Sequence, residues 1–416
     1  MFASPLESLF CFSIRGGENP VKFSSFIAKL PSVSCMATWI RGILFIRKKW
    51  GDLMKSAEKD RWACPPAGCS TLSWETEDGK HIWGRNFDYN RLAEGSQVTF
   101  CPAQTPYVAC SPSDSKDSIP ENRQISQYAA VGIGLLLPGS VPILYEGINE
   151  KGLMGGQLYY RTFAHYALHP RPGTQPLQPP FAVYHLLAQC ATVEEVVHRI
   201  KRDITLVASP LLGTVPPLHW AFYDRTGESV IIEPDREDVH VYRHTMGIMT
   251  NSPGYPWHRL NLLNYAGIRN RDYEKMEMNG ESLTPCFSGS GAQGMPGDWS
   301  SVSRFVRLAF LKKYGVKGKK EEQGIAYMFR LLQSVSFPLG MVHVNEAGDI
   351  TKLDKNVLPY DYTVYTSVMC GESLKFYWTT YENQRIQVVD LHRLLEKTEP
   401  LQFALHPNPD FWEVDK

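Results

Sequence analysis

From Cys69 onward, apolar and polar positions alternate more often than they recur at helical spacing, and this predicts a chain dominated by strands. Segments 142–145 and 152–160 flank a turn at Asn149-Glu150-Lys151. Segments 219–223 and 229–233 flank Asp224-Arg225-Thr226-Gly227 as a second hairpin, which 239–242 and 247–250 would extend within the same sheet. Segments 375–381 and 386–390 read as late strands. Helical spacing is confined to a few stretches. One follows Pro179-Pro180 over 181–187, and Thr192 with Glu195 forms a capping box ahead of Val196, Val197 and Ile200. Two more amphipathic helices are predicted over 303–314 and 321–335.

The sharpest local signal lies between residues 69 and 88. Two strand-like runs enclose Asp78-Gly79, a pairing that predicts a β-hairpin with a two-residue type I′ turn. Pairing Glu77 with Lys80 then sets Cys69 directly across from Asp88, with Arg85 nearby. Strict alternation would place Arg85 on the face opposite Asp88, so a bend or bulge near Gly84 is expected.

Composition narrows the classes of function. The 416 residues carry a formal net charge of zero and 21% charged residues, so no global field recruits nucleic acid or an anionic surface. No apolar run is long enough for a membrane-spanning helix. The nine cysteines form no C-x-x-C pair and the twelve histidines no H-E-x-x-H, so neither a metal site nor a disulfide framework is expected. Gly289-Ser290-Gly291-Ala292-Gln293-Gly294 fits a dinucleotide fingerprint in spelling only. No strand precedes it and Pro296 follows, so a glycine-rich surface loop is the better reading.

Residues 1–68 differ from the remainder. Between Glu18 and Asp52 there is no acid, while Lys22, Lys29, Arg41, Arg47, Lys48 and Lys49 are basic. The short apolar stretch 42–46 does not make a secretory signal. The segment reads as a leader, an organellar targeting extension, or an upstream start ahead of Met36 or Met54, in each case separate from a domain spanning 69–416. A cytoplasmic location is the favoured expectation, with organellar delivery or export through the basic leader as the alternative.

Pro65-Pro66-Ala67-Gly68 is turn-rich and foreign to a strand, and a strand begins at once after it. Cleavage there would make Cys69 an N-terminal residue. A free α-amine, with a pKa of about 7.7–8.0, can serve as general base for the thiol beside it. Arg85 would lower the thiol pKa. Cys64 is a rival, but two prolines follow it directly.

These residues resemble the choloylglycine hydrolase family of conjugated bile acid hydrolases and penicillin V acylases. The resemblance rests on Cys69-Ser70-Thr71, Gly84-Arg85-Asn86-Phe87-Asp88, Asn149-Glu150-Lys151-Gly152-Leu153, Leu218-His219-Trp220, Met249-Thr250-Asn251-Ser252-Pro253, and the string from Gly297-Asp298-Trp299 to Arg304-Phe305-Val306-Arg307. It implies a four-layer αββα sandwich with two antiparallel sheets, the fold of N-terminal-nucleophile hydrolases, often assembled as homotetramers. It implies hydrolysis of a linear amide through a thioester, with no metal or organic cofactor, on a small amide with a hydrophobic acyl group. Cys69 would be the nucleophile, Asp88 would orient its amine, and Arg85 would hold the thiolate. The side-chain amide of Asn251 and the backbone N–H of Tyr159 would form the oxyanion hole, and Arg304 would complete the charge network. Tyr at position 159 leans toward aromatic or fatty acyl amides such as phenoxyacetyl-penicillin or acyl homoserine lactones. Two alternatives remain: a ceramidase-like or N-acylethanolamine amidase-like hydrolase, and an inactive scaffold with Cys69 internal.

Overall fold

Two antiparallel sheets face one another, and each carries helices on its outer side. The computed structural model describes residues 68–111, 119–138, 141–344, 351–354 and 356–415. The expected leader therefore lies outside the described residues, apart from Gly68. All described residues belong to one compact unit, Trp62–Lys416.

The first sheet has seven strands. At its centre are β1 (Gly68–Glu75), β2 (His81–Tyr89) and the long strand Tyr360–Cys370, flanked by Ile248–Met249 on one side and by Lys375–Thr380 and Gln387–Asp390 on the other. The second sheet has eight strands and is built around the meander Ala130–Leu137, Val141–Asn149, Met154–Tyr159 and Leu218–Tyr223. Trp83, Phe100, Ile133, Ile148, Met154, Met369 and Phe376 fill the space between the sheets. Helices α1 (Ala182–Gln189) and α2 (Val193–Arg202) cover the second sheet, while α4 (Ser301–Tyr314) and α5 (Glu321–Gln333) cover the first. A short helix, α3 (Tyr255–Asn261), follows the strand Ile248–Met249. This is the αββα sandwich expected, and it buries most strands on both faces.

The predicted hairpins at 149–151 and 224–227 are present, as is the Thr192 cap, whose Oγ1 accepts from the Glu195 N–H at 3.3 Å. One expected neighbour changes sheets. Val239–Tyr242 extends the second sheet, but Ile248–Met249 crosses to pair with β1 in the first. The loop between them thereby brings Asn251 to the start of β1. The GxGxxG segment is an irregular loop with a single turn of 3₁₀ helix at Ser290–Ala292, anchored by Ser290 to Asp272. It does not border the Cys69 cavity.

The β1–β2 turn corrects the expected register. Glu75 pairs with His81, and the Gly79 N–H donates to the Thr76 carbonyl with Gly79 at φ +78°. This is a three-residue loop, a turn closed by a left-handed glycine, in place of the two-residue type I′ turn. Thr76 drives the change. Its hydroxyl bonds Asp78 at 2.5 Å and accepts from the Lys80 N–H at 2.9 Å, which satisfies the loop locally. The extra residue slides the pairing by one place, so Gly68 faces Asp88 and Cys69 faces Phe87. Because side chains alternate, a slip of one exchanges every face. Cys69 and Arg85 now share the face toward the second sheet, and no bend at Gly84 is needed. The expected bulge near Gly84 is absent from the β1–β2 pair; a separate one lies in the neighbouring strand, between Thr363 and Tyr365. Gly84 has a different role. A Cβ there would sit 2.9 Å from Leu332 Cδ1 and 3.0 Å from Met328 Cγ, so its absence lets α5 lie close on the sheet.

Candidate active site

The site forms at the start of β1, and the strand divides it into two sides. On the side facing the second sheet is the sulfur. Arg85 Nη2 donates to Cys69 Sγ at 3.2 Å. Burial pushes the Cys69 thiol up, and Arg85 is the main opposing influence. Arg85 does not pair with Asp88. Its Nη1 donates to Glu146 Oε2 at 2.5 Å and to the Tyr145 carbonyl at 2.9 Å, with both members of the Arg85–Glu146 pair fully enclosed. Burial also raises Glu146, opposed chiefly by Arg85. Tyr365 donates its hydroxyl to the same Glu146 oxygen at 3.0 Å and stacks on Phe87 at 4.9 Å.

On the side facing α4 and α5 lies the nitrogen. Asp88 is wholly buried and accepts the Thr363 hydroxyl on Oδ1 at 2.5 Å. Burial raises its carboxyl to about 7, against the pull of Arg304, Thr363 and Arg85. The peptide N–H of Cys69 donates to Asn251 Oδ1 at 2.9 Å. Arg304 donates to the same oxygen at 2.7 Å, to Ser70 Oγ at 2.7 Å and to the Cys69 carbonyl, so one buried guanidinium fastens β1 to the Asn251 loop. Asn251 Nδ2 donates to the Tyr159 carbonyl at 2.8 Å, which ties the loop to the second sheet. Its backbone is fixed by Ser301 Oγ at 2.9 Å and by His258 Nε2 at 3.1 Å from its carbonyl. Burial lowers His258 to about 4, so that contact is a neutral imidazole donating to a carbonyl.

All six residues singled out from the sequence thus converge: Cys69, Arg85, Asp88, Tyr159, Asn251 and Arg304. Sequence reasoning missed Glu146, Thr363 and Tyr365. The last two lie on the strand Tyr360–Cys370, whose bulge re-aims it so that Thr363 serves the nitrogen side and Tyr365 the sulfur side. The run of β-branched and aromatic residues in Tyr362-Thr363-Val364-Tyr365-Thr366 would have announced that strand, though not its bulge.

A cavity opens beside Cys69. Its walls are mostly apolar or aromatic, from Phe87, Tyr89, Leu135, Ile143, Tyr145, Tyr159, Leu211 and Leu353. Tyr89 stacks on Tyr159 at 5.7 Å, and the Arg91–Asp354 pair, 2.7 Å apart, also lines the cavity. Among the described residues, no group of three or more His, Cys, Asp or Glu side chains could hold a metal ion. Among the described cysteines, Cys286 is exposed and the others, Cys69 included, are buried.

Known proteins share this architecture. A bile salt hydrolase/transferase from Clostridium perfringens is 30% identical over 328 residues, covering 78% of this chain and 93% of that protein. The bile salt hydrolase/transferase of Lactiplantibacillus plantarum is 29% identical over 350 residues, covering 83% and 100%. Among solved structures, a variant of the conjugated bile acid hydrolase from C. perfringens superimposes with a TM-score of 0.71 at 28% identity, over 83% of this chain and 99% of that one. The penicillin V acylase of Agrobacterium tumefaciens, at 19% identity and TM-score 0.60, shares the fold. The profile of the linear amide C–N hydrolases, choloylglycine hydrolase family, matches residues 69–403, and the chain belongs to that family of enzymes acting on non-peptide C–N bonds.

Proposed function

We propose that the enzyme hydrolyses amides of hydrophobic carboxylic acids, with Cys69 as nucleophile and its own α-amine, freed by removal of residues 1–68, as general base. The observation that carries this reading is the placement of Cys69. Its sulfur meets Arg85, and its nitrogen donates to Asn251 next to Gly68, the residue that pairs with Asp88. In the uncleaved chain that nitrogen is a peptide N–H with no basic lone pair. Cleavage turns it into an amine that can take the thiol proton.

The thiolate then attacks the amide carbonyl. The oxyanion is met by the second hydrogen of Asn251 Nδ2 and the Tyr159 N–H, the ammonium protonates the leaving amine, and a thioester remains at Cys69. Water, activated by the same amine, releases the acid. Arg85 stabilises the thiolate, Asp88 orients the amine, and Arg304 holds Asn251. The aromatic cavity suits an aromatic, fatty or steroid acyl group. Bile conjugates are favoured by the relatives that share about three-tenths of the sequence, and phenoxyacetyl amides by Tyr159.

The test is a panel of glycocholate, taurocholate, penicillin V, an N-acyl homoserine lactone and an N-acylethanolamine, with acid release measured by mass spectrometry. Turnover should track a protein beginning at Cys69, and acid quenching should trap an acyl adduct on that residue. Acid release by Cys69→Ala equal to the parent's would refute the assignment.

A further inference from the structure

On the nitrogen side of β1 a second carboxyl group stands beside Asp88. The strand Tyr360–Cys370 sets Thr363 opposite Asp88, and Asp361, two residues earlier on the same regular stretch, projects from the same face. In an antiparallel pair, such diagonal neighbours are about 7–8 Å apart. Asp361 is 1% exposed and Asp88 is 0% exposed. Asp361 Oδ1 and Asp88 Oδ2 are both buried, and neither has a hydrogen-bond partner among the described residues. Two orphan acceptors on one face are costly unless a donor arrives. The peptide bond that would break, Gly68–Cys69, begins beside this face, since Gly68 pairs with Asp88 and a Cβ on Gly68 would sit 3.3 Å from Asp88 Cβ.

We infer that Asp361 is a positioning residue for the α-amine of Cys69, paired with Asp88 to accept its hydrogens and to set the charge under which it works. The inference rests on the proposed function. The charges facing Asp361 are Asp88 from β2, Arg161 from the segment after Met154–Tyr159, Arg304 from α4 and Arg91 from the end of β2. Arg304 directs its donors to the Trp299 and Cys69 carbonyls, to Ser70 and to Asn251, so it acts on the carboxyls through space only. Release of the leader adds an ammonium to this enclosure. Two carboxyls that share protons can balance it, one ionising as the amine gains its proton. Burial raises Asp361 to about 8, with Asp88 adding to the rise, so its charge changes in the range where the amine operates.

The sign follows. An ionised Asp361 favours the ammonium, so it holds the acid limb of the rate profile at higher pH. Neutralising it lets the amine lose its proton earlier. The full-length chain and its Asp361→Asn and Asp361→Glu variants are expressed, and kcat and KM for glycocholate and penicillin V are measured across pH 4–9. Asp361→Asn should move the acid limb down by about half a pH unit or more, and Asp361→Glu should restore it. KM should stay within about twofold, because Asp361 is not among the residues that line the acyl cavity. Alkylation of Cys69 by iodoacetamide across the same pH range should shift in parallel. Should the Asn variant not fold, Asp361→Ser carries the same expectation. Profiles of the neutral variants that overlay the parent's would overturn the role of Asp361 while leaving the proposed function standing. A parent that turns over no amide on the panel removes both.

Discussion

The two faces of β1 surround the sulfur and the nitrogen of Cys69 by different means. Toward the second sheet, Cys69 Sγ meets an arginine whose charge is countered at contact distance by Glu146. Toward the helices, the nitrogen donates to Asn251, which Arg304 also holds, and Asp88 lies beside the preceding residue; no ion pair is closed between Arg304 and Asp88 at contact distance in the described residues. On the sulfur side the opposite charges of Arg85 and Glu146 meet directly, although Arg85 Nε and Glu146 Oε1 are buried without a hydrogen-bond partner among the described residues. The nitrogen side carries orphan oxygens on two carboxyl groups, Asp88 and Asp361, and the tight Gly68–Phe337 packing, as the proposed change of a peptide bond into an amine would require. A one-residue slip in register separates the two. It puts Arg85 with the sulfur and Asp88 with the nitrogen.

This contrast is open to direct attack, beginning on the sulfur side. Arg85→Leu leaves Glu146 buried without its partner and should cost about 3–5 kcal/mol of stability, read from denaturant unfolding. Adding Glu146→Leu should recover most of that stability and none of the activity. Recovery of both would show that Arg85 serves the fold alone. On the nitrogen side, Asn251→Ala should lower kcat by roughly 10²–10³-fold with an unchanged circular dichroism spectrum, as expected for loss of an oxyanion donor. A loss confined to KM would remove Asn251 from the transition state. The smallest effect concerns the helix layer behind the nitrogen. Gly84→Ala forces a methyl group against Leu332 and Met328 and should cost about 1–3 kcal/mol, seen as a lowered thermal midpoint.

The sequence made the strand-rich domain and its helical covers legible because alternation and capping are local signals. Thr192-x-x-Glu195 and the flanks of Asp224-Arg225-Thr226-Gly227 needed no partner to be read. Register was less accessible. Asp78-Gly79 suggested a two-residue turn, and the competing hydrogen bonds of the Thr76 hydroxyl added a third. Motif order pointed to Cys69, Arg85, Asp88, Asn251 and Arg304, but not to which acid answers which base. Glu146 is distant from Arg85 in the chain, and only the packing of two sheets joins them. The same holds for Thr363 and Asp361, which reach Asp88 through a strand whose local pattern says nothing of its neighbours.

The most direct test compares two proteins that differ by one residue, the chain beginning at Cys69 and the chain beginning at Gly68. Single-turnover release of acid is measured for each on the amide that the parent hydrolyses best. The account predicts that the glycine-extended protein keeps its fold and loses turnover by orders of magnitude, because its Cys69 nitrogen remains an amide. Equal turnover from both would mean that some other group takes the thiol proton, and the division of labour across β1 would have to be abandoned.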